Sequence, residues 1–229
     1  MIKCTFPFFV SLRSHTGKKA LVLVANGSED IEVVATVDVL RRGGIDVKLC
    51  SVENNDKKPL TCANSVQLVA DLHIDDVQGK EFDAVIVPGG KFVCFEQIFN
   101  WKLFKFLGSK GTEKIGSCKK AGALILNHYQ NQKVVAAICA GPIAISTHLC
   151  DADKNSRQHE ITCYPDVANS LKTKFRSINL NEKVVDSQVN NRHLITSQGP
   201  ATAIEFGLKI LSCLTNEKKA DEIRKKLLA

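Results

Sequence analysis

At 229 residues, 44% hydrophobic and 24% charged, the chain has room for a single domain with a real core. No stretch approaches 18 uninterrupted apolar residues, which excludes a membrane-spanning helix by that measure. The net charge of +7 is local: Lys3, Arg13, Lys18 and Lys19 stand in an acid-free head, and Lys91, Lys102 and Lys105 face only Glu96 in a second segment. The remainder is nearly neutral, which argues against a nucleic-acid partner.

The head, residues 1–17, is basic and hydroxyl-bearing, and its short apolar centre is broken by Pro7. It reads as an N-terminal extension or an organelle-targeting segment; without such targeting the expected location is cytoplasmic. KALVLVA (19–25) reads as a buried strand and NGSED as a turn rich in capping residues. Helical spacing of Ile31, Val34, Ala35 and Val39 predicts a helix over 31–42, stopped by Gly43-Gly44. IDVKLCSV (45–52) alternates like a strand, 60–70 suggests a short hairpin, and FDAVIVPGG (82–90) is a buried strand ending in a turn. A helix is expected over 112–132, weakened by Gly116 and Gly122. KVVAAICAGP (133–142) is a buried strand running into a helix start. Two β segments (160–164 and 194–197) follow, then an amphipathic helix over 201–214 and a charged one over 217–228. Strands alternating with helices predict one α/β domain, with a mainly parallel sheet covered on both faces.

In such sheets, sites lie beyond the carboxyl ends of the strands. VVAAICAGP is the most informative of these ends. Ala140 and Gly141 permit a tight strand-to-helix turn, and Pro142 suits a first helical turn. A cysteine at that elbow faces unpaired N–H groups and the positive end of a helix, which should favour the thiolate of Cys139. After the first strand, ANGSEDIE places three carboxylates: Glu29 and Asp30 suit a helix start, and Glu32 could point across to a neighbouring strand end. PGG either turns the chain or offers the Gly90 N–H to an oxyanion beside the thiol. The nine cysteines include no C-x-x-C pair, so the spacings suggest neither a metal site nor a secreted disulfide framework, and a reducing compartment is expected.

GSEDIE, VDVLRRGG, VIVPGG, VVAAICAGP and ITSQGPATAIEFGLKI, in this order, resemble the DJ-one/ThiJ/PfpI superfamily, in particular its DJ-one-like deglycase subgroup. The resemblance covers about 18–214 and implies a flavodoxin-like three-layer α/β sandwich, a homodimer formed partly through the first helix, and no cofactor or metal. It implies Cys139 as nucleophile and oxidisable thiol, and Glu32 as the acid that bonds its sulfur and moves protons. Gly90 and Ala140 become the N–H donors around the substrate oxygen. Arg41-Arg42 and Gly199-Pro200 lie near the site rim and dimer interface, and Cys62 near a dimer-edge cysteine. The implied chemistry is conversion of glyoxal or methylglyoxal to the hydroxy acid, or release of such aldehydes from glycated amines. The alternative is a non-enzymatic redox sensor or chaperone acting through oxidation of Cys139. One departure stands out: ITCYPDVA puts Tyr164 where the subgroup carries a histidine, and tyrosine is a poor base at neutral pH. Without a Cys–His pair, protease chemistry is not expected.

Residues 91–107 carry five of the 11 Phe and the only Trp. Two readings stand. As a helix the segment would be apolar nearly all round, suiting a partner or a membrane interface. Alternatively, 91–108 is a retained intron. Removing these 18 residues restores the spacing of the resembling proteins, and codons for Gly90-Lys91-Phe92 and Phe106-Leu107-Gly108 can spell donor and acceptor signals. The domain proper is then 18–229 with this insertion.

Overall fold

A computed structural model describes residues 16–53, 58–90 and 111–229. The expectations for the head before Thr16 and for 91–108 fall outside the described residues. In chain order the first half contains β1 (Lys19–Val24), α1 (Asp30–Arg42), β2 (Asp46–Ser51), β3 (Leu60–Thr61), β4 (Gln67–Leu68), β5 (Leu72–His73) and β6 (Ala84–Val87). Then come α2 (Gly111–Ser117), α3 (Lys119–Gln130), β7 (Val134–Ile138) and α4 (Gly141–Leu149). The chain closes with β8 (Glu160–Ile161), α5 (Ala168–Leu171), β9 (Ser177–Ile178), β10 (Val184–Val189), β11 (Arg192–Ser197), α6 (Ala203–Leu214) and α7 (Glu217–Leu227).

The main sheet runs β10-β11-β7-β6-β1-β2-β5 and is parallel except for β10, which pairs antiparallel with β11 at one edge. The apolar runs supply its centre: β1, β6 and β7 are buried from Ala20 to Val24, Ala84 to Val87 and Val134 to Ile138. Right-handed crossovers fix the layers. The chain steps from β1 to β2 in one direction and from β6 to β7 in the other, so the connecting helices fall on opposite faces. Accordingly α1 packs on α6, which packs on α7, while α2, α3 and α4 pack on one another. The direction reverses between β1 and β6, which puts a crevice at their carboxyl ends. On α1, Ile31 and Val34 remain exposed, at 56% and 47%.

The helix expected over 112–132 is two helices. Cys118 takes an extended conformation (φ −78°, ψ 105°) as the N-cap of α3. Of the glycines that weakened the expectation, Gly122 allows close packing on α4, since a Cβ there would stand 2.3 Å from the His148 ring, whereas one at Gly116 would meet the Ala144 Cα at an ordinary 3.4 Å. The second difference is β10, whose sequence VVDSQV has too short an apolar run to read as a strand.

Gly90 and Gly111 border residues 91–110 and pack on the same turn. A Cβ would lie 3.4 Å from the Ser28 Cα at Gly90 and 2.8 Å from it at Gly111. Their own Cα atoms are therefore at most ~9 Å apart, within the ~10 Å that a two-residue link can span. Deleting 91–108, which leaves Ser109-Lys110 as that link, is expected to give a folded protein melting within a few degrees of the full chain. Circular dichroism would check this; insolubility, or a melting point lowered by tens of degrees, would make the segment part of the fold.

Candidate active site

Cys139 follows β7 and precedes α4, and its backbone is held at φ 63°. That left-handed conformation costs a non-glycine residue roughly 1–3 kcal/mol and persists where surrounding contacts enforce it. Here they do: the Cys139 N–H donates to the Ser197 carbonyl at 2.9 Å, and its own carbonyl accepts from the Tyr164 N–H at 3.0 Å. Close approach at the elbow requires Gly141, because a Cβ there would stand 2.5 Å from the Val87 carbonyl oxygen. The result is a buried thiol, 8% exposed, at the start of a helix.

Glu32 comes from the first turn of α1. Glu29 caps that helix, its Oε2 accepting the Glu32 N–H at 2.7 Å. Asp30 accepts the N–H groups of Asn64 and Val66, tying the β3–β4 hairpin to the same helix start. This leaves Glu32, only 1% exposed, aimed across the crevice, where its Oε2 accepts the Gly89 N–H at 2.7 Å. Its other oxygen is buried without a partner among the described residues, and the carboxyl lies within hydrogen-bonding range of the Cys139 thiol. Burial is the main cause that pushes Glu32 up to about 7, opposed by the bonds from Gly89 and Cys139.

The thiol does not behave as the elbow alone predicts. Burial, and then the charge of Glu32, push the Cys139 thiol up; the Ala140 N–H pulls the other way and is outweighed. Helix-start polarity is a modest effect, whereas a carboxylate in contact inside a low-dielectric site is a large one. Near neutral pH the thiol therefore keeps its proton while Glu32 is part-ionised, and a thiolate forms when the thiol's proton passes to the ionised Glu32.

Of the expected donors, Ala140 N–H faces the sulfur. Gly90 lies against the Gly27–Ser28 turn, bridged to Ser28. Gly89 is the glycine at the centre: a Cβ there would stand 2.6 Å from the Cys139 Cβ, 2.8 Å from Glu32 Oε2 and 3.0 Å from the Ala140 nitrogen. The sequence PGG offers two glycines with equal claims, so nothing local separated them. Tyr164 is 43% exposed, attached to the elbow through its backbone, with its ring packed 3.5 Å from the Cβ direction of Gly199. Pro200 follows in the short helical turn that leads into α6. Arg41 and Arg42 are not brought to this thiol. They end α1, the opposite end from Glu32, with Arg41 on the Val47 carbonyl and Asp71, and Arg42 on Asp38.

Among the described residues no histidine bonds the elbow thiol in place of the missing one. His159 is fully buried between Tyr129 and Ser187, and burial pushes it down to about 4. His148 bonds the Ile115 carbonyl. Cys62 is buried, and burial with the nearby Asp30 and Glu29 pushes its thiol up to about 11. All seven described cysteines are free thiols. No helix among the described residues is long and apolar enough to cross a membrane.

The family model described as the DJ-1/PfpI family matches residues 18–213. Protein dj-1beta of Drosophila melanogaster is 32% identical over 211 residues, covering 92% of this chain and 97% of that protein. The glutathione-independent glyoxalase DJR-1.2 of Caenorhabditis elegans is also 32% identical over 211 residues, covering 92% and 96%. Among solved structures, Drosophila melanogaster DJ-1beta superposes with a TM-score of 0.75 at 31% identity, covering 93% of this chain and 98% of that one. Oxidized Toxoplasma gondii DJ-1 gives 0.73 at 29% identity, covering 92% and 98%.

Proposed function

The chain belongs to the DJ-1/PfpI family, and we propose that it converts small dicarbonyls such as methylglyoxal and glyoxal to hydroxy acids, free or as adducts on amines, through Cys139 and Glu32. The observation that carries this reading is the buried Cys139–Glu32 pair at the elbow, held together around Gly89, with Glu32 pushed up to about 7 beside the thiol. A group with that affinity is both an effective base and an effective acid at neutral pH.

In methylglyoxal, the Cys139 sulfur attacks the aldehyde carbon and a C–S bond forms. The carbonyl oxygen takes up the proton that leaves the thiol, with the Ala140 N–H stabilising the developing charge. Glu32 then removes the hydrogen on that carbon as a proton, giving an enediolate, and returns it to the neighbouring carbon while the hydroxyl proton passes to the neighbouring oxygen, which leaves a thioester of lactate. Water cleaves the thioester, releasing lactate and restoring the thiol. Oxidation of the aldehyde carbon and reduction of the ketone carbon balance within the substrate, so no external electron carrier enters. Glu32 can serve both proton transfers, which is why Tyr164 in place of a histidine is compatible with turnover. The glyoxalase among the relatives supports the same reaction class.

The test is lactate formation from methylglyoxal in the absence of glutathione. Cys139→Ala is expected to lower the rate at least ~100-fold. No lactate from the intact protein, or equal lactate from Cys139→Ala, overturns the enzymatic reading in favour of a redox sensor acting through Cys139.

A further inference from the structure

At the sheet edge, α6 crosses β10 and β11 at the end of β11 remote from Ser197. Asp186 pairs with Ile195 and Gln188 with His193 across the antiparallel ladder, so Asp186, Gln188 and His193 share one face. α6 packs on these strands and brings Cys213 to the same point. The Cys213 sulfur donates to Asp186 Oδ2 at 3.3 Å, and His193 Nδ1 lies 3.0 Å from Asp186 Oδ1. One ligand atom from each of the three residues lies within 4.8 Å of the other two.

We propose that Asp186, His193 and Cys213 form a binding site for a borderline divalent cation of the Zn²⁺ class, with the fourth coordination position left to water. Thiolate, imidazole and carboxylate are the donor set that such a cation selects, and ligand atoms around tetrahedral zinc stand ~3.3–3.8 Å apart, close to the 3.3 Å and 3.0 Å at which the Asp186 carboxylate already holds Cys213 and His193. Hard cations such as Mg²⁺ and Ca²⁺, which require oxygen cages, do not fit it. The site is reachable, since the side chains of His193 and Asp186 are 26% and 19% exposed. Gln188 adds an orienting partner: its amide nitrogen lies 2.7 Å from His193 Nε2, and turning the amide by 180° would set its oxygen there, to hold the Nε2 proton and free Nδ1 for the metal. On binding, the sulfur exchanges its proton for the cation, one proton leaves to solvent, and no oxidant or reductant is involved. Lys209 and Glu217, an ion pair at 3.7 Å, are the remaining charges acting on the Cys213 thiol besides Asp186. From His193 to Ser197, which holds the elbow, the strand rises ~13 Å, so the cation would sit apart from Cys139.

The experiment is a Co²⁺ titration of the full chain carrying Cys139→Ser, so that the elbow thiol cannot report. One equivalent per chain should give four-coordinate visible bands and a sulfur-to-cobalt charge-transfer band, both displaced by Zn²⁺. Adding Cys213→Ser should abolish the charge-transfer band, and adding His193→Gln instead should weaken Co²⁺ binding at least ~10-fold. His193→Gln alters a partly exposed side chain and so decides the matter even if Cys213→Ser folds poorly. Absence of the bands, or their persistence unchanged in both variants, overturns the proposal.

Discussion

Glu32→Gln is expected to be more stable than the parent protein above pH 7, while its dicarbonyl turnover falls ~100-fold or more. Burial raises Glu32 from 4.5 to about 7, so between these values the folded chain holds a proton that the unfolded chain has released. The contribution of this group to stability is therefore fullest below pH 4.5, falls as the pH rises through that window, and levels off above 7. At ~1.4 kcal/mol per unit, ionising the buried carboxyl costs on the order of 3 kcal/mol. A glutamine keeps an oxygen for the Gly89 N–H, offers its amide hydrogens towards the sulfur, and has nothing to titrate. Urea unfolding at pH 5, 6, 7 and 8 should show a falling curve for the parent and a flatter one for the variant, with Tm at pH 8 higher by ~5–10 °C. Parallel curves would mean that the proton resides elsewhere in the pair. The acid that performs the proposed chemistry is thus a stability cost built into the core.

Gly89→Ala carries the second large effect. An added methyl must displace the Cys139 Cβ, the Glu32 carboxyl or the Ala140 backbone, all within 3.0 Å. Two of these belong to the elbow, where Cys139 is already held at positive φ, and the third is the proposed proton carrier. The expected cost is ~2–4 kcal/mol of stability and at least ~100-fold in kcat/KM. Gly116→Ala is the control: its Cβ meets Ala144 at 3.4 Å, an ordinary contact, and it should alter stability by less than ~1 kcal/mol with turnover unchanged. Kinetics and thermal melts on the two variants check the contrast. Near-parental turnover in Gly89→Ala would show that the geometry around the thiol is looser than these contacts require.

What could be read along the chain was what local chemistry encodes. Continuous apolar runs marked β1, β6 and β7, and helical spacing with a glycine stop marked α1. Small residues after Cys139 marked a strand-to-helix elbow, because only such residues allow the turn. Those signals put Cys139 and Glu32 each just beyond the carboxyl end of a strand.

Tertiary structure decided the rest, because the deciding contacts join residues far apart in sequence. The edge strand β10 exists through pairing with β11, since VVDSQV has no core of its own. Gly89 rather than Gly90 became the hub because the fold carried Glu32, 57 positions earlier, across to its N–H. The thiol's proton affinity reversed direction for the same reason: an elbow favours thiolate, but a buried carboxyl in contact outweighs a helix start. Asp186, His193 and Cys213 have no spacing that signals a site, and only packing of α6 on the β10–β11 edge joins them. Legible along the chain were most of the elements and the elbow at Cys139, which are matters of local conformation and residue chemistry, while the pairing with Glu32 was implied by the family resemblance. The charge state of that pair and the meeting of distant ligands depend on burial and on partners, and these arise only when the sheet closes.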